Sequence, residues 1–488
     1  MTEVKNKTIV SNFVWRFFER FGAQIISLLV TIILARILLP EAYGTVALIT
    51  VITSLLQVFI DSGLGSALIQ KKDADDVDFS SVFYFNVVLC VVLYLIMFFL
   101  APAIAKFYER SEMIAMIRVV SLILLICGAR NVQQAYVARN MLFKRFFFST
   151  LAGTIGGAVA GIVMAYYGFG AWALIAQMLL NNFLGTAILW ITVKWRPKWK
   201  FSFSKLMSLI NYGWKILVAG LVVSLYNNLA QLIIGKKYSS EDLAYYNKGK
   251  QFPTLIMESV NSSLDSVLFS TLSKEQRDIE KVRDLTRKSI QLSSYLVCAL
   301  MFGFAACAEL FVKVVLTDKW LFAVPYIRIF CLILAIHPID TANLNAFKAL
   351  GKSNMYLTLE LIKKGVGIVL LLISIPFGIN AMLGSLMLSA ILNIIINTWP
   401  SKRLLGYSLF KQIKDFIPSM LLAIIMFVIV YLIGKIPGNA VLILGLQLLM
   451  GAVIYISLSW LFKNSAFKYV VNFIKNSKKG RNSSSKSK

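Results

Sequence analysis

Histidine is almost absent from this 488-residue chain: His337 is the only one. That excludes histidine-rich metal sites and leaves a Ser-His-Asp triad almost no material. The five cysteines, Cys90, Cys127, Cys298, Cys307 and Cys331, form no C-x-x-C pair and all fall in apolar stretches. They read as free thiols packed like small hydrophobes, not as a disulfide framework or a metal site. The inner loops hold no glycine-rich phosphate loop, which argues against an ATP-driven motor. No metal, cofactor or catalytic residue is expected. Charge is scarce too, at 15% of residues against about 25% in soluble domains.

Apolar residues fill the space, at 58% of the chain with a mean hydropathy of +0.74. They come in blocks of about 20 residues divided by short polar stretches, the pattern of serial membrane helices. Continuous blocks of this length satisfy their backbone groups in lipid only as helices. The first block, Phe13 to Leu39, is longer than the 7–15 residues of a signal h-region and leaves through a bulky Leu-Leu-Pro-Glu, so it is expected to be retained. The fold expected is an all-α polytopic membrane protein of about 14 spans. They are placed at 12–38, 44–69, 80–105, 114–136, 149–167, 171–193, 209–234, 252–272, 289–312, 322–347, 355–375, 380–399, 415–434 and 440–462. The eighth is the weakest, because it carries Glu258, Asn261 and Asp265 and so must face protein or water.

The net charge of +27 has its plainest explanation in this setting. Lysine and arginine collect on cytoplasmic loops and touch anionic lipid, so no nucleic acid is expected. With the N-terminus inside, the inner segments gather 32 of the 50 Lys and Arg, which places both termini in the cytoplasm and makes the span number even. The segment 466–488 is a basic cytoplasmic tail, disordered in expectation where Lys478, Lys479, Arg481, Lys486 and Lys488 lie among serines.

The blocks also repeat. Asn12-Phe13-Val14-Trp15-Arg16 opens the first span and Asn211-Tyr212-Gly213-Trp214-Lys215 the seventh. Displaced by 200, Glu41 meets Glu241, and Ser62, Leu64, Ser66 and Leu68 meet Ser262, Leu264, Ser266 and Leu268. Displaced by 210, Ile117-Arg118 meets Ile327-Arg328, and Gly168 and Ala171 meet Gly378 and Ala381. A nearly constant displacement over six spans predicts two six-helix lobes, 1–200 and 201–400, related by an axis along the membrane normal with a central cavity between them. Two extra helices, within 401–465, have no counterpart.

Three segments carry a family resemblance. Ala35-Arg36-Ile37-Leu38-Leu39-Pro40-Glu41-Ala42-Tyr43-Gly44 is one. Asp61-Ser62-Gly63-Leu64-Gly65-Ser66-Ala67-Leu68-Ile69-Gln70-Lys71-Lys72-Asp73 with Phe79-Ser80-Ser81-Val82-Phe83 is the second, and Tyr167-Gly168-Phe169-Gly170-Ala171-Trp172-Ala173 the third. They resemble the Wzx-type polysaccharide transporters, in the colanic-acid and teichuronic-acid export branch of the multidrug/oligosaccharidyl-lipid/polysaccharide exporter superfamily. The resemblance runs from about residue 8 to 400, and the extra span pair also fits that branch. It implies a flippase working by alternating access in the bacterial inner membrane, with an undecaprenyl-diphosphate-linked oligosaccharide as substrate for surface polysaccharide or lipopolysaccharide biosynthesis. Membrane lipids surround it, polysaccharide polymerase and glycosyltransferases are its implied partners, and a monomer is the implied state.

A diphosphate headgroup needs a wet cationic path, and each bare charge at mid-bilayer costs at least ~2.5–3.5 kcal/mol, so buried cations need a reason. Arg16, with Arg20 one turn on, and Lys215 sit just inside the cytoplasmic mouth of the two lobes; Arg118 and Arg328 sit just inside the outer mouth. These repeat-related pairs either bind the diphosphate or snorkel to the interfaces. Arg130 lies deeper, with Asp340 at its equivalent place; the two form either an ion pair between the lobes, broken when the cavity opens, or two unrelated polar contacts, and the pair is the reading favoured. Lys363 and Lys364 lie with Glu360 in the eleventh span, where Glu360 and Lys364 are spaced to pair along one helix. Asp61, Asp265, Asp340 and Glu360 are the carboxylates available for ion coupling or gating. The competing transport reading is a cation-coupled multidrug exporter of the same superfamily. An enzyme acting on lipid-linked sugars is disfavoured, because the longest outer loop, Gly235 to Gln251, shows no acid/base constellation.

Overall fold

Short capping motifs set the helix ends in this chain, and the same motifs recur in its two halves. The computed structural model describes residues 15, 22–60, 64–71, 73–275, 278–469 and 471; at 66, 212, 213, 215, 216, 259, 261–271, 273, 274 and 353 it describes the backbone only. The described residues are mostly helical and contain no strand.

In chain order the helices are α1 (Gly22–Ile37), α2 (Pro40–Ile60), α3 (Leu64–Gln70), α4 (Asp76–Tyr108), α5 (Met113–Val120), α6 (Leu122–Arg139), α7 (Phe143–Tyr166), α8 (Ala171–Thr192) and α9 (Phe203–Lys237). There follow α10 (Ser240–Lys274), α11 (Ile279–Phe311), α12 (Val324–Ala335), α13 (His337–Ala349), α14 (Ser353–Ser374), α15 (Ile379–Leu405), α16 (Leu409–Ile433) and α17 (Ala440–Leu461). Among the described residues eleven helices are long and apolar enough to cross a membrane, with α5–α6 and α12–α13 each counted as one. The chain is a multi-pass membrane protein. The three other expected spans are α1, described only from Gly22, and α10 and α14, which carry charges within their length.

The chain divides into two compact units, Met1–Ala244 and Tyr245–Lys488. The sequence repeat is visible inside them, hydrogen bond for hydrogen bond. After α6, Asn140, Met141 and Leu142 donate to the carbonyls of Tyr136, Ala138 and Val137; after α13, Leu350, Gly351 and Lys352 donate to those of Ala346, Lys348 and Phe347. Every one of these bonds is displaced by 210. The residue that turns the chain is left-handed in both, Met141 at φ 54° and Gly351 at φ 70°. Asp75 caps α4 by accepting from the Asp78 N–H, and Asp278 caps α11 by accepting from the Lys281 N–H, so an aspartate satisfies orphan N–H groups at both N-termini. The displacement of 200 also shows where α1 and α9, both in the first unit, close alike, Leu38 N–H to Leu34 and Tyr238 N–H to Ile234.

One expectation needs correcting. The stretch from Gly235 to Gln251 is no outer loop: α9 ends at Lys237 and α10 starts at Ser240. A capping box is the reason. The Asp242 N–H donates to Ser239 Oγ at 3.0 Å while Asp242 Oδ2 accepts the Ser239 N–H at 3.2 Å. Polar residues here continue a helix where hydropathy alone suggests a loop.

Each unit packs its helices differently. Hydrophobicity cannot drive association inside lipid, so close backbone approach through small residues takes its place. In the first unit Gly153, Gly157 and Gly161 of α7 lie flat on α8, where an added Cβ would strike Asn181 and Gln177. In the second, α16 and α17 share a core with α11, α13 and α15, built from Tyr295, Cys298, Phe416, Met426 and Tyr455 among others. The appended pair belongs to that core.

Candidate functional site

Arg16, Arg20 and Asp61 lie outside the described residues. Lys215 and Asp265 fall on α9 and α10, at positions where only the backbone is described. The candidate residues whose surroundings are described are Arg118, Arg130, Arg328, Asp340 and Glu360.

Arg118 and Arg328 keep their repeat relation in three dimensions. Arg118, on α5, donates from Nε to the Phe98 carbonyl of α4 at 3.3 Å and lays its guanidinium over the Phe98 ring, 4.1 Å from the centroid. Arg328, on α12, donates from Nε to the Ala305 carbonyl of α11 at 3.4 Å and lies 5.3 Å from the Tyr431 centroid. Each arginine thus ties the fourth span of its half to the third and is backed by an aromatic face. Their electrostatics differ. Glu309 stands 3.6 Å from Arg328 Nη2 and is shared with Lys435, whereas Arg118 has no carboxylate partner among the described residues. Arg130 contacts Cys127 Sγ at 3.5 Å.

Asp340 has a cation partner that its repeat position does not point to, Lys363 of the same unit. Lys363 Nζ sits 3.3 Å from both Asp340 oxygens and 2.6 Å from Glu360 Oε1, and Lys364 lies 4.0 Å from Glu360. Asn397 of α15 donates its amide to Asp340 Oδ1. The Lys363 side chain is 6% exposed and that of Asp340 13%, with Glu360 and Lys364 half-buried beside them, so two acids and two bases cluster where α13 meets the middle of α14. Burial on this scale demands near neutrality. The expected Glu360–Lys364 spacing is present, with Lys363 the nearer partner.

Lys248 is a buried cation that sequence reasoning missed. It is 5% exposed on α10, donates to Gln251 Oε1 at 3.2 Å and lies 5.8 Å from the Trp320 ring centroid. Its counterpart at a displacement of 200 is Leu48, fully buried. The Ser239-x-x-Asp242 cap was the available signal, because it moves Lys248 from a loop into a helix.

Polar ties also fix one end of each unit. In the first, the segment after α8 lies on the start of α4: the Lys198 and Ser202 N–H groups donate to Ser80 Oγ and Ser81 Oγ, and Trp195 is buried beside Phe79 and Tyr136. Lys205 binds Asp75 at 2.6 Å and, with the Asp78 N–H, holds that carboxyl well below the usual carboxylate range. In the second, Asp415 of α16 accepts Arg287 Nε at 2.8 Å and the Tyr407 hydroxyl at 2.8 Å.

Comparison with known proteins agrees with this architecture. Residues 33–325 match a family model described as "Polysaccharide biosynthesis protein". The chain is 24% identical over 483 residues to the succinoglycan biosynthesis transport protein ExoT of Rhizobium meliloti (strain 1021), covering 96% of each. It is 25% identical over 318 residues to the teichuronic acid biosynthesis protein TuaB of Bacillus subtilis (strain 168), covering 62% of this chain and 63% of that one. Among solved structures it is similar to the lipid II flippase MurJ in an inward closed conformation, with a TM-score of 0.75 at 15% identity, over 92% of this chain and 98% of that one. At that identity the likeness establishes the fold.

Proposed function

The chain belongs to the polysaccharide biosynthesis protein family, and from that premise we propose that it is a flippase for an undecaprenyl-diphosphate-linked oligosaccharide, turning it from the cytoplasmic to the periplasmic leaflet. The observation that carries this reading is end-to-end similarity to a biosynthesis transport protein, 96% of both chains, on a fold shared with a lipid II flippase. The protein works in the bacterial inner membrane with both termini in the cytoplasm, and the excess of inner cations supports that orientation. It hands its cargo to polysaccharide polymerase after glycosyltransferases have built it.

Arg16, Arg20 and Lys215 receive the diphosphate at the inner mouth and Arg118 and Arg328 release it at the outer one, with Arg130 along the way. In Arg118 and Arg328 the Nε group is committed to a backbone carbonyl. This leaves the terminal nitrogens of Arg118 to meet a phosphate, while in Arg328 Nη2 also faces Glu309 at 3.6 Å and a phosphate would share it. Asp340 and Glu360 gate the movement through Lys363, and Asp61 and Asp265 serve the same end where their spans finish.

Depletion in the native host tests the function. Surface glycan is expected to fall while lipid-linked oligosaccharide accumulates in a form that external reagents cannot reach. Accumulation of a lipid-linked unit already accessible from outside would place the defect after flipping and reject the proposal.

A further inference from the structure

Two cations share one ring and one carboxylate at the end of the second unit where α11 and α16 finish. The Arg328 guanidinium lies 5.3 Å from the Tyr431 ring centroid and the Lys435 ammonium 5.2 Å. The same Glu309 oxygen, Oε2, stands 3.6 Å from Arg328 Nη2 and 3.4 Å from Lys435 Nζ. Two cations against one carboxylate leave the group positive. The acid is also held loosely, since a carboxylate well seated on a cation lies at about 2.7–2.9 Å. Arg328 Nη2 is buried beside it and makes no hydrogen bond, and an unmet buried donor is costly.

Half of this group comes from the appended pair, which the repeat does not supply. Tyr431 lies on α16 and Lys435 in the turn that follows it. That turn is fixed from α17. Gln447, itself 1% exposed, donates its amide to the Val430 carbonyl at 2.8 Å, and the Gly434 N–H donates to the same carbonyl. A Cβ at Gly434 would strike Gln447 Nε2, so glycine leaves that amide its room. Lys435 is thereby held beside Tyr431 and Glu309. In the first unit Arg118 has an aromatic face but no carboxylate partner among the described residues, and no appended helix stands against its repeat.

We propose that Arg328 and Lys435 form one seat for the oxygens of a diphosphate group, with Glu309 as its resident anion, and that the appended helices complete it. A diphosphate carries several oxygens and more than one negative charge. It therefore meets both cations at once, where Glu309 offers them a single shared oxygen. Glu309 yields the cations as the diphosphate arrives and takes them back as it leaves. Naming the diphosphate as that of the cargo rests on the proposed function; the seat itself accepts a diphosphate from any source.

The test is calorimetric titration of the purified full-length protein with sodium diphosphate at constant ionic strength. Relative to wild type, Lys435→Met is expected to weaken binding about three- to tenfold, and Lys435→Arg to keep it. Glu309→Gln, which removes the resident anion, is expected to tighten binding by a similar factor. A plain surface ion pair predicts no such gain, so Glu309→Gln and Lys435→Met proteins that titrate like wild type would overturn the seat. Flipping in proteoliposomes separates the sources. If the cargo's diphosphate uses the seat, Lys435→Met flips several-fold more slowly; weakened titration with unchanged flipping assigns the seat to a free diphosphate. A wild type that titrates as expected but flips nothing would reject the proposed function and leave the seat standing.

Discussion

The two units share a turn and an aspartate cap but hold their inner helices together by different physics. In the first, α7 and α8 meet through glycines, and Ser149 Oγ donates to the Gly185 carbonyl at 2.7 Å. In the second, the corresponding α13, α14 and α15 meet through Asp340, Lys363, Glu360 and Asn397. Glycine contacts have one good arrangement, because no side chain is present to repack. Charged groups have several, provided each charge finds another partner. That contrast predicts a second unit able to change partners and a stiffer first one.

The largest expected effect comes from breaking the charged side of that comparison. Lys363→Met leaves Asp340 buried beside Glu360, and loss of one partner of a buried pair costs about 3–5 kcal/mol. Asp340→Asn/Lys363→Met should recover much of it, because no uncompensated charge remains. Thermal unfolding in choline chloride checks both, and a Lys363→Met protein as stable as wild type would remove the contrast between the units.

The glycine side comes next. A Cβ at Gly157 would lie 2.6 Å from the Gln177 carbonyl oxygen, so Gly157→Leu should separate α7 from α8 at a cost of about 1–3 kcal/mol or more. The fraction of protein that elutes as a single folded species in detergent reads this out. In the same range but acting on function, Arg118→Ala/Arg328→Ala should abolish glycan display with the protein still inserted and abundant. Normal display would reject the outer pair as diphosphate contacts. Either single substitution separates the units: Arg118 has the less encumbered guanidinium and should matter more.

The smallest effect sharpens the likeness instead. Met141 holds a left-handed conformation that Gly351 holds at the matching turn. Met141→Gly should stabilise by about 1 kcal/mol, and Gly351→Ala should destabilise by a similar amount. Equal and opposite shifts in Tm would show that the turns are equivalent in energy as well as in shape.

Much of the fold was legible in the residues. Span order follows from hydropathy, and the 200 and 210 displacements reappear as matching hydrogen bonds at Leu38 and Tyr238 and at Leu142 and Lys352. The eighth span was misjudged at its start because a hydropathy window averages Ser240 to Gln251 as polar, whereas the Ser239–Asp242 cap acts on four residues. The site was less legible. Repeat position pairs Asp340 with Arg130 and says nothing of Lys363, because the repeat records helix placement and not charge pairing. Lys363 reaches Asp340 from the neighbouring helix, at a sequence distance of 23, and no periodicity within one helix reports that.

Reconstitution tests flipping most directly. Purified protein would be placed in proteoliposomes that carry an undecaprenyl-diphosphate-linked oligosaccharide in both leaflets, with a membrane-impermeant glycosidase added outside. With active protein the enzyme is expected to consume nearly all of the glycan, as inner-leaflet molecules are brought out to it. Consumption that stops at the outer-leaflet half, the same as in protein-free vesicles, would contradict the proposal that this chain flips lipid-linked oligosaccharides.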